Sequence, residues 1–352
     1  MILTRQTQTR ISRAALILTG LLGFLICTII FSIGIGAVKI EPLQVLGILA
    51  RAIGLDLGIA FESQQQAVML IIRLPRVLLG ILVGAALALS GAVMQGLFRN
   101  PLADPGLIGV SSGAALAAVA MIVLGVTVFN ANNLLALPVA AFAGGLATTL
   151  LVYRVSSQNG RVMVGTMLLA GIAIAALSGA ATGLLTFVAT DAQLRSITFW
   201  SLGSLGGATW ETLGVAAPFL VLTLFIMPRF SRALNAFTLG EAEAGHLGVD
   251  IERIKLAAIV VTALAVGAAV SVVGIIGFVG LIVPHLLRIS LGADHRFLLP
   301  GCILLGSSLL LCADLIARTI VAPAELPIGI VTALLGAPFF LWMLIKSRRV
   351  GA

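Results

Sequence analysis

The feature that most constrains this chain is a succession of apolar runs, each roughly 17–28 residues long, separated by breaks of charge, proline and glycine. A helix crossing a bilayer needs about 20 apolar residues. Ten such runs can be marked, at 14–38, 71–98, 107–126, 134–153, 163–189, 211–228, 256–273, 275–291, 297–321 and 328–345. Of the 352 residues 60% are apolar and only 10% are charged, against roughly 25% charged in an ordinary soluble domain. So much apolar surface must face lipid. A soluble enzyme, a disordered chain and a secreted disulfide scaffold are excluded. The expectation is an all-α polytopic membrane protein, about ten transmembrane helices in a single domain over 1–352.

The net charge of +8 invites a nucleic-acid partner, but the basic residues stand singly between apolar runs. In a membrane protein such residues set orientation instead. Ten crossings put 15 Lys and Arg on the side of the termini and 6 on the other, so both termini are expected in the cytoplasm. Arg5, Arg10 and Arg13 precede a first run of about 25 residues. That is too long for the apolar core of a signal peptide. Cys27, Cys302 and Cys312 lie inside apolar runs without CxxC spacing and are read as small packing residues.

Several chemistries are missing. The only lysines are Lys39, Lys255 and Lys346, and none follows a glycine, so no phosphate-cradling Gly-Lys-Ser/Thr loop exists. His246, His285 and His295 lack zinc spacing. No catalytic residue and no metal ligand is assigned. Asp104, Asp314 and Glu325 read as close to run ends, which disfavours an ion-coupled secondary carrier; that carrier remains the remote alternative.

Three features offer functional chemistry. Arg73 and Arg76 flank Pro75, and Arg318 sits near the far end of the ninth run, on the side where cations are few. They either snorkel to the interface, with Arg318 paired to Asp314, or dock an acidic partner through the planar guanidinium fork. The polar stretch 229–255 is broken by Gly240, Gly245 and Gly248 into short amphipathic pieces carrying Glu241, Glu243 and Leu247. It is either a docking surface for another protein or a pair of interfacial helices. In the fifth run, Gly171, Ala175, Ser178, Thr182 and Thr186 recur at helical spacing on one face, as a helix interface or as the wall of a polar path. A short interfacial helix is expected within 190–210.

Specific strings extend this. They are Arg73-Leu74-Pro75-Arg76, Gly91 to Gln95 followed by Asn100 to Gly106, Leu239-Gly240-Glu241, Gly277 to His285, Asp294-His295-Arg296, Ala313 to Arg318, Glu325 to Gly329 and Gly336-Ala337-Pro338. Together they resemble the FecCD-type permeases of ABC importers for haem, ferric siderophores and cobalamin, over nearly the whole chain. The resemblance implies a type II ABC importer permease in the bacterial inner membrane, working as a homodimer. Two ATPase subunits would sit on the coupling loop, at Gly240, Glu241, Glu243, Gly245 and Leu247, and ATP would act there rather than on this chain. A periplasmic binding protein would dock on Arg73, Arg76 and Arg318. The fifth and tenth runs would line the path, which makes Gly171, Ala175, Ser178 and Thr182 a wall. Thr198 to Gly207 and Ala322 to Pro327 look most like the haem branch, with ferric-siderophore or cobalamin transport as the alternative. No cofactor is expected to be bound permanently; haem or a related iron chelate is cargo. His285 and His295 are not assigned as haem ligands.

Overall fold

The computed structural model describes residues 2–128, 135–158 and 160–350. Asn159, in the polar patch after the fourth run, lies outside the described residues, as do the side chains of Arg5, Arg10, Lys346, Arg348 and Arg349. The described chain is almost wholly helical; its strands are the two-residue pair Ser157–Gln158 (β1) and Arg161–Val162 (β2). The first helices are α1 (Ile2–Gly34), α2 (Pro42–Ala52), α3 (Ser63–Ala67), α4 (Leu74–Leu97), α5 (Val110–Val128), α6 (Ala136–Ser156), α7 (Val164–Phe187) and α8 (Asp191–Leu202). They are followed by α9 (Trp210–Ile226), α10 (Ser231–Phe237), α11 (Glu241–His246), α12 (Ile251–Val273), α13 (Val279–Leu291), α14 (His295–Thr319) and α15 (Ile328–Val350).

The ten apolar runs correspond to α1, α4, α5, α6, α7, α9, α12, α13, α14 and α15. Among the described residues, seven stretches are long and apolar enough to cross a bilayer, and α5 (over Val110–Gly125), α13 and α15 are shorter apolar helices. A short helix does form within 190–210, as α8, opened by a reciprocal Thr190–Gln193 cap. Residues 39–62 carry no run, yet α2 forms there, with Pro42 in its first turn and the Glu41 N–H donated to Gln44 Oε1 at 3.0 Å. Its 11 residues reach about 16 Å, so it adds no crossing.

The eighth run differs from its expectation. Residues 275–278 are apolar but not helical, and α13 has 13 residues, about 20 Å. That is short of the roughly 30 Å hydrocarbon core. Irregular backbone at such depth needs protein around it. Here the Ser204 N–H donates to the Val273 carbonyl at 2.8 Å, and the Gly274 N–H to Val270 at 2.9 Å.

Lipid replaces water around these helices, so burial marks the centre of the bundle rather than apolarity. The apolar stretch ending in α4 is 83% buried, whereas those of α1 and α7 are each 17% buried. α4 therefore forms the axis, packed by α9, α12, α13 and α14. Close approach needs residues without side chains. A Cβ on Gly84 would stand 2.4 Å from the Gly306 carbonyl oxygen, and one on Gly91 would stand 1.8 Å from that of Gly280. The Gly84–Gly306 contact sets a register. Arg76 lies eight residues before Gly84, and Asp314 eight after Gly306. Two turns along these antiparallel helices, the two side chains meet.

Candidate functional site

The two ends of the bundle are built differently. At one end, Pro75 has no N–H to offer the Ile71 carbonyl. The ladder slips: the Leu74 N–H reaches back to Met69, and Val68–Arg73 winds as a π-helix. Arg73, closing that turn, donates to the carbonyls of Ile33, Gly34 (3.1 Å) and Val38. Two of these are end carbonyls of α1, where a cation is favoured. Arg318 donates to the carbonyl and, at 3.1 Å, to the hydroxyl of Ser32 in the same last turn.

Arg76 grips two carboxylates. Its Nε lies 3.1 and 3.2 Å from the Asp314 oxygens and its Nη2 2.9 Å from Asp314 Oδ1. Nη1 and Nη2 each donate at 2.9 Å to the two oxygens of Glu325. Arg318 Nε stands 3.6 Å from Asp314 Oδ2. Arg73 and Arg76, read from the sequence as docking cations, are covered and internally bonded here, 5% and 9% exposed. The i,i+4 pairing of Asp314 with Arg318 is present. Arg76 and Arg318 face the two carboxylates while Arg73 donates to carbonyls beside them, so the cluster of three arginines and two acids carries a formal charge of +1. Its open edge is Glu325, whose side chain is 42% exposed. The Arg76 fork holds that carboxyl below the usual range, and burial opposes this.

At the opposite end lies the polar stretch. α10 buries Ala233, Leu234, Ala236 and Phe237. Asn235 locks it to the start of α14: its Nδ2 donates to Asp294 Oδ1 at 2.8 Å, and its Oδ1 accepts the His295 N–H at 2.9 Å. The Arg296 guanidinium against Asp294 holds that carboxyl down at about 2. Beyond Gly240, at φ 125°, comes α11. Of the five coupling residues named above, Gly240 is buried, Glu241 is half-buried, and Glu243, Gly245 and Leu247 are exposed. Leu239 and Leu247 flank α11 and are each 65% exposed. Glu241 turns inward to Lys255 Nζ, 2.8 Å away.

The stripe on α7 divides. Gly171 and Ser178 are buried, and a Cβ on Gly171 would stand 2.0 Å from the Leu107 carbonyl oxygen. Gly171 is therefore packed against the 105–108 turn within the chain. Thr182 is half-buried and Ala175 exposed. The open face of α7 carries Leu169, Ile172, Leu177, Leu184 and Phe187 instead. α15 likewise exposes Leu334, Leu335 and Leu341. A cavity of about 440 Å³ opens between the end of α8, the 275–278 bend and the start of α15.

Comparison with known families gives a match to the FecCD transport family over residues 24–346. The chain belongs to the FecCD transport family. It is 52% identical over 280 residues to the hemin transport system permease protein HmuU of Yersinia pestis, covering 79% of this chain and 83% of that one. It is 43% identical over 304 residues to the cobalamin import system permease protein BtuC of Halobacterium salinarum, covering 86% and 79%. A solved metal-chelate type ABC transporter in an inward-facing conformation superposes with a TM-score of 0.81 at 36% identity, covering 94% of this chain and 99% of that one. The chain is therefore a multi-span permease subunit of an ABC importer, with the type II permease fold, and a transport component rather than an enzyme.

Sequence patterning alone does not single out Lys255, Glu252 or the partners of Arg76 as site residues. The Glu252–Lys255 spacing of three was the available signal for the first pair. For Arg76 the signal was weaker, since Asp314 is 238 residues away.

Proposed function

We propose that this permease passes haem, or a related iron chelate, from a periplasmic binding protein to the cytoplasm, as two copies driven by two ATPase subunits. The observation that carries the cargo assignment is the 52% identity to a hemin permease across most of both chains. The 43% identity to a cobalamin permease keeps cobalamin as the second reading.

The arginine-cluster end faces the periplasm and the α11 end the cytoplasm, as does each terminus of the chain. Support comes from the 15-to-6 split of basic residues. The binding protein docks at Arg73, Arg76 and Arg318. Because Arg76 is occupied by Glu325, docking proceeds by exchange: an incoming carboxylate takes the exposed side of the Arg76 fork and Glu325 swings away. The net positive charge of the cluster steers an acidic surface to it. On the cytoplasmic side, Leu239 and Leu247 with exposed Glu243 and Gly245 form the surface that meets the ATPase. The exposed faces of α7 and α15 look across the path toward the second copy. ATP is bound and hydrolysed by the partner subunits, and the cargo is not a resident cofactor.

The test is uptake into proteoliposomes containing the chain and its ATPase, supplied in turn with binding proteins loaded with haem, a ferric siderophore or cobalamin. Haem is expected to be accumulated. Accumulation of cobalamin and not haem would transfer the assignment to the second reading.

A further inference from the structure

Lys255 is the most deeply buried ammonium among the described residues, 3% exposed, at the second turn of α12. Its Nζ donates to Glu241 Oε2 of α11 at 2.8 Å and to the Val162 carbonyl of β2 at 3.3 Å, and it lies 3.5 Å from Glu252 Oε1. Glu252 in turn accepts the Val162 N–H on its other oxygen at 2.9 Å. Both backbone groups of Val162 are thereby consumed by one polar cluster. Val162 is two residues before α7, and the Met163 N–H closes back on the Ser156 carbonyl at 3.0 Å. The ammonium thus joins three elements: the short helix α11, the foot of α12 and the hairpin that starts α7.

The rest of α11 is loosely attached. Four of its six residues are exposed, and only Glu241 and Ala244 face the body. A buried ion pair is weak evidence of stabilisation, because desolvation offsets attraction. What such a pair does well is fix one geometry.

We propose that Lys255 is a positioning residue that ties the coupling helix α11 to the start of the path helix α7, so that a displacement of α11 is passed to α7. The inference rests on the reading of α11 as the element that meets the ATPase. A push on α11 moves Glu241, which pulls Lys255, and Lys255 carries Val162 with it. Without the ammonium, α11 can follow the ATPase while α7 stays behind.

The experiment uses the full chain with its ATPase and binding protein in proteoliposomes, comparing wild type, Lys255→Met and Lys255→Arg. Three quantities are read: ATPase-subunit affinity, ATP hydrolysis, and cargo moved per ATP. For Lys255→Met the ATPase is expected to stay bound, and cargo per ATP to fall at least tenfold. Lys255→Arg, which keeps the cation, should recover most of that loss. A spin-label pair at His246→Cys and Arg161→Cys, in a Cys27→Ser background, should keep one distance through the ATP cycle in wild type and separate in Lys255→Met. Cargo per ATP within twofold of wild type in Lys255→Met would overturn the proposal. Should that variant not assemble, Glu241→Gln is read in the same way for the same ratio. If Leu247→Asp leaves ATPase binding intact, it is the docking role of α11 that fails; the label distances still decide whether Lys255 joins the two elements.

Discussion

Removing the Arg76 side chain in Arg76→Met would leave Asp314 as a carboxylate 1% exposed with one remaining cation, Arg318, 3.6 Å away. Three close contacts of 2.9–3.2 Å are lost at once. Breaking a buried pair by deleting one partner costs about 3–5 kcal/mol. That is roughly two to four orders of magnitude in an unfolding equilibrium. Asp314→Asn strands less charge, because Arg76 keeps Glu325, and its cost is expected at about 2–3 kcal/mol. In the double variant no buried carboxylate is orphaned, because the Glu325 left without Arg76 is 42% exposed and stays solvated. The two changes should therefore cost at least ~2 kcal/mol less together than the sum of their separate effects, as expected for residues in one network. The assay is reversible unfolding in mixed detergent micelles, followed by the fluorescence of Trp200, Trp210 and Trp342. Additivity within ~0.5 kcal/mol would refute the claim that this cluster is one coupled unit.

Gly91→Ala should be severely destabilising, on the order of 3 kcal/mol or more, because the obstacle is the Gly280 backbone. Gly179→Ala, which meets nothing within 4 Å, should be neutral in the same thermal melt; equal melts would show that α4 and α13 do not approach as described. Glu325 is held below the ordinary carboxylate range, so its contribution to stability is present at neutral pH and lost as pH falls through and beneath that range. A stability–pH profile of Glu325→Gln should lack that acid-side slope, and profiles parallel to wild type would remove Arg76 as its partner. Leu247→Asp should weaken ATPase co-purification at least tenfold while shifting the melting temperature of the isolated permease little; a large shift would make Leu247 a packing residue.

Much of the architecture was legible because lipid imposes a simple rule on each segment: apolar length equals crossing. Even α13 was found as a run, but apolarity cannot separate helix from the buried extended backbone of 275–278. Small residues were ambiguous for a physical reason. Gly171 and Ser178 suit a polar wall and a close helix contact equally, and the approach of the Leu107 carbonyl to Gly171 is a fold contact that helical spacing does not reveal. Among the arginines, the Asp314–Arg318 spacing was visible along one helix. The Arg76–Asp314 pair was not, since it depends on Gly84 meeting Gly306. Lys255 and Val162 are 93 residues apart, and nothing in either neighbourhood announces the other.

This permease is expected to move cargo only between an ATPase and a delivery protein. The most direct measurement is haem uptake into proteoliposomes holding the purified chain, with each partner added or withheld and a proton or sodium gradient imposed. Uptake is expected only with ATPase, ATP and loaded binding protein together, and none from either gradient alone. Gradient-driven uptake by the chain without nucleotide would contradict the account.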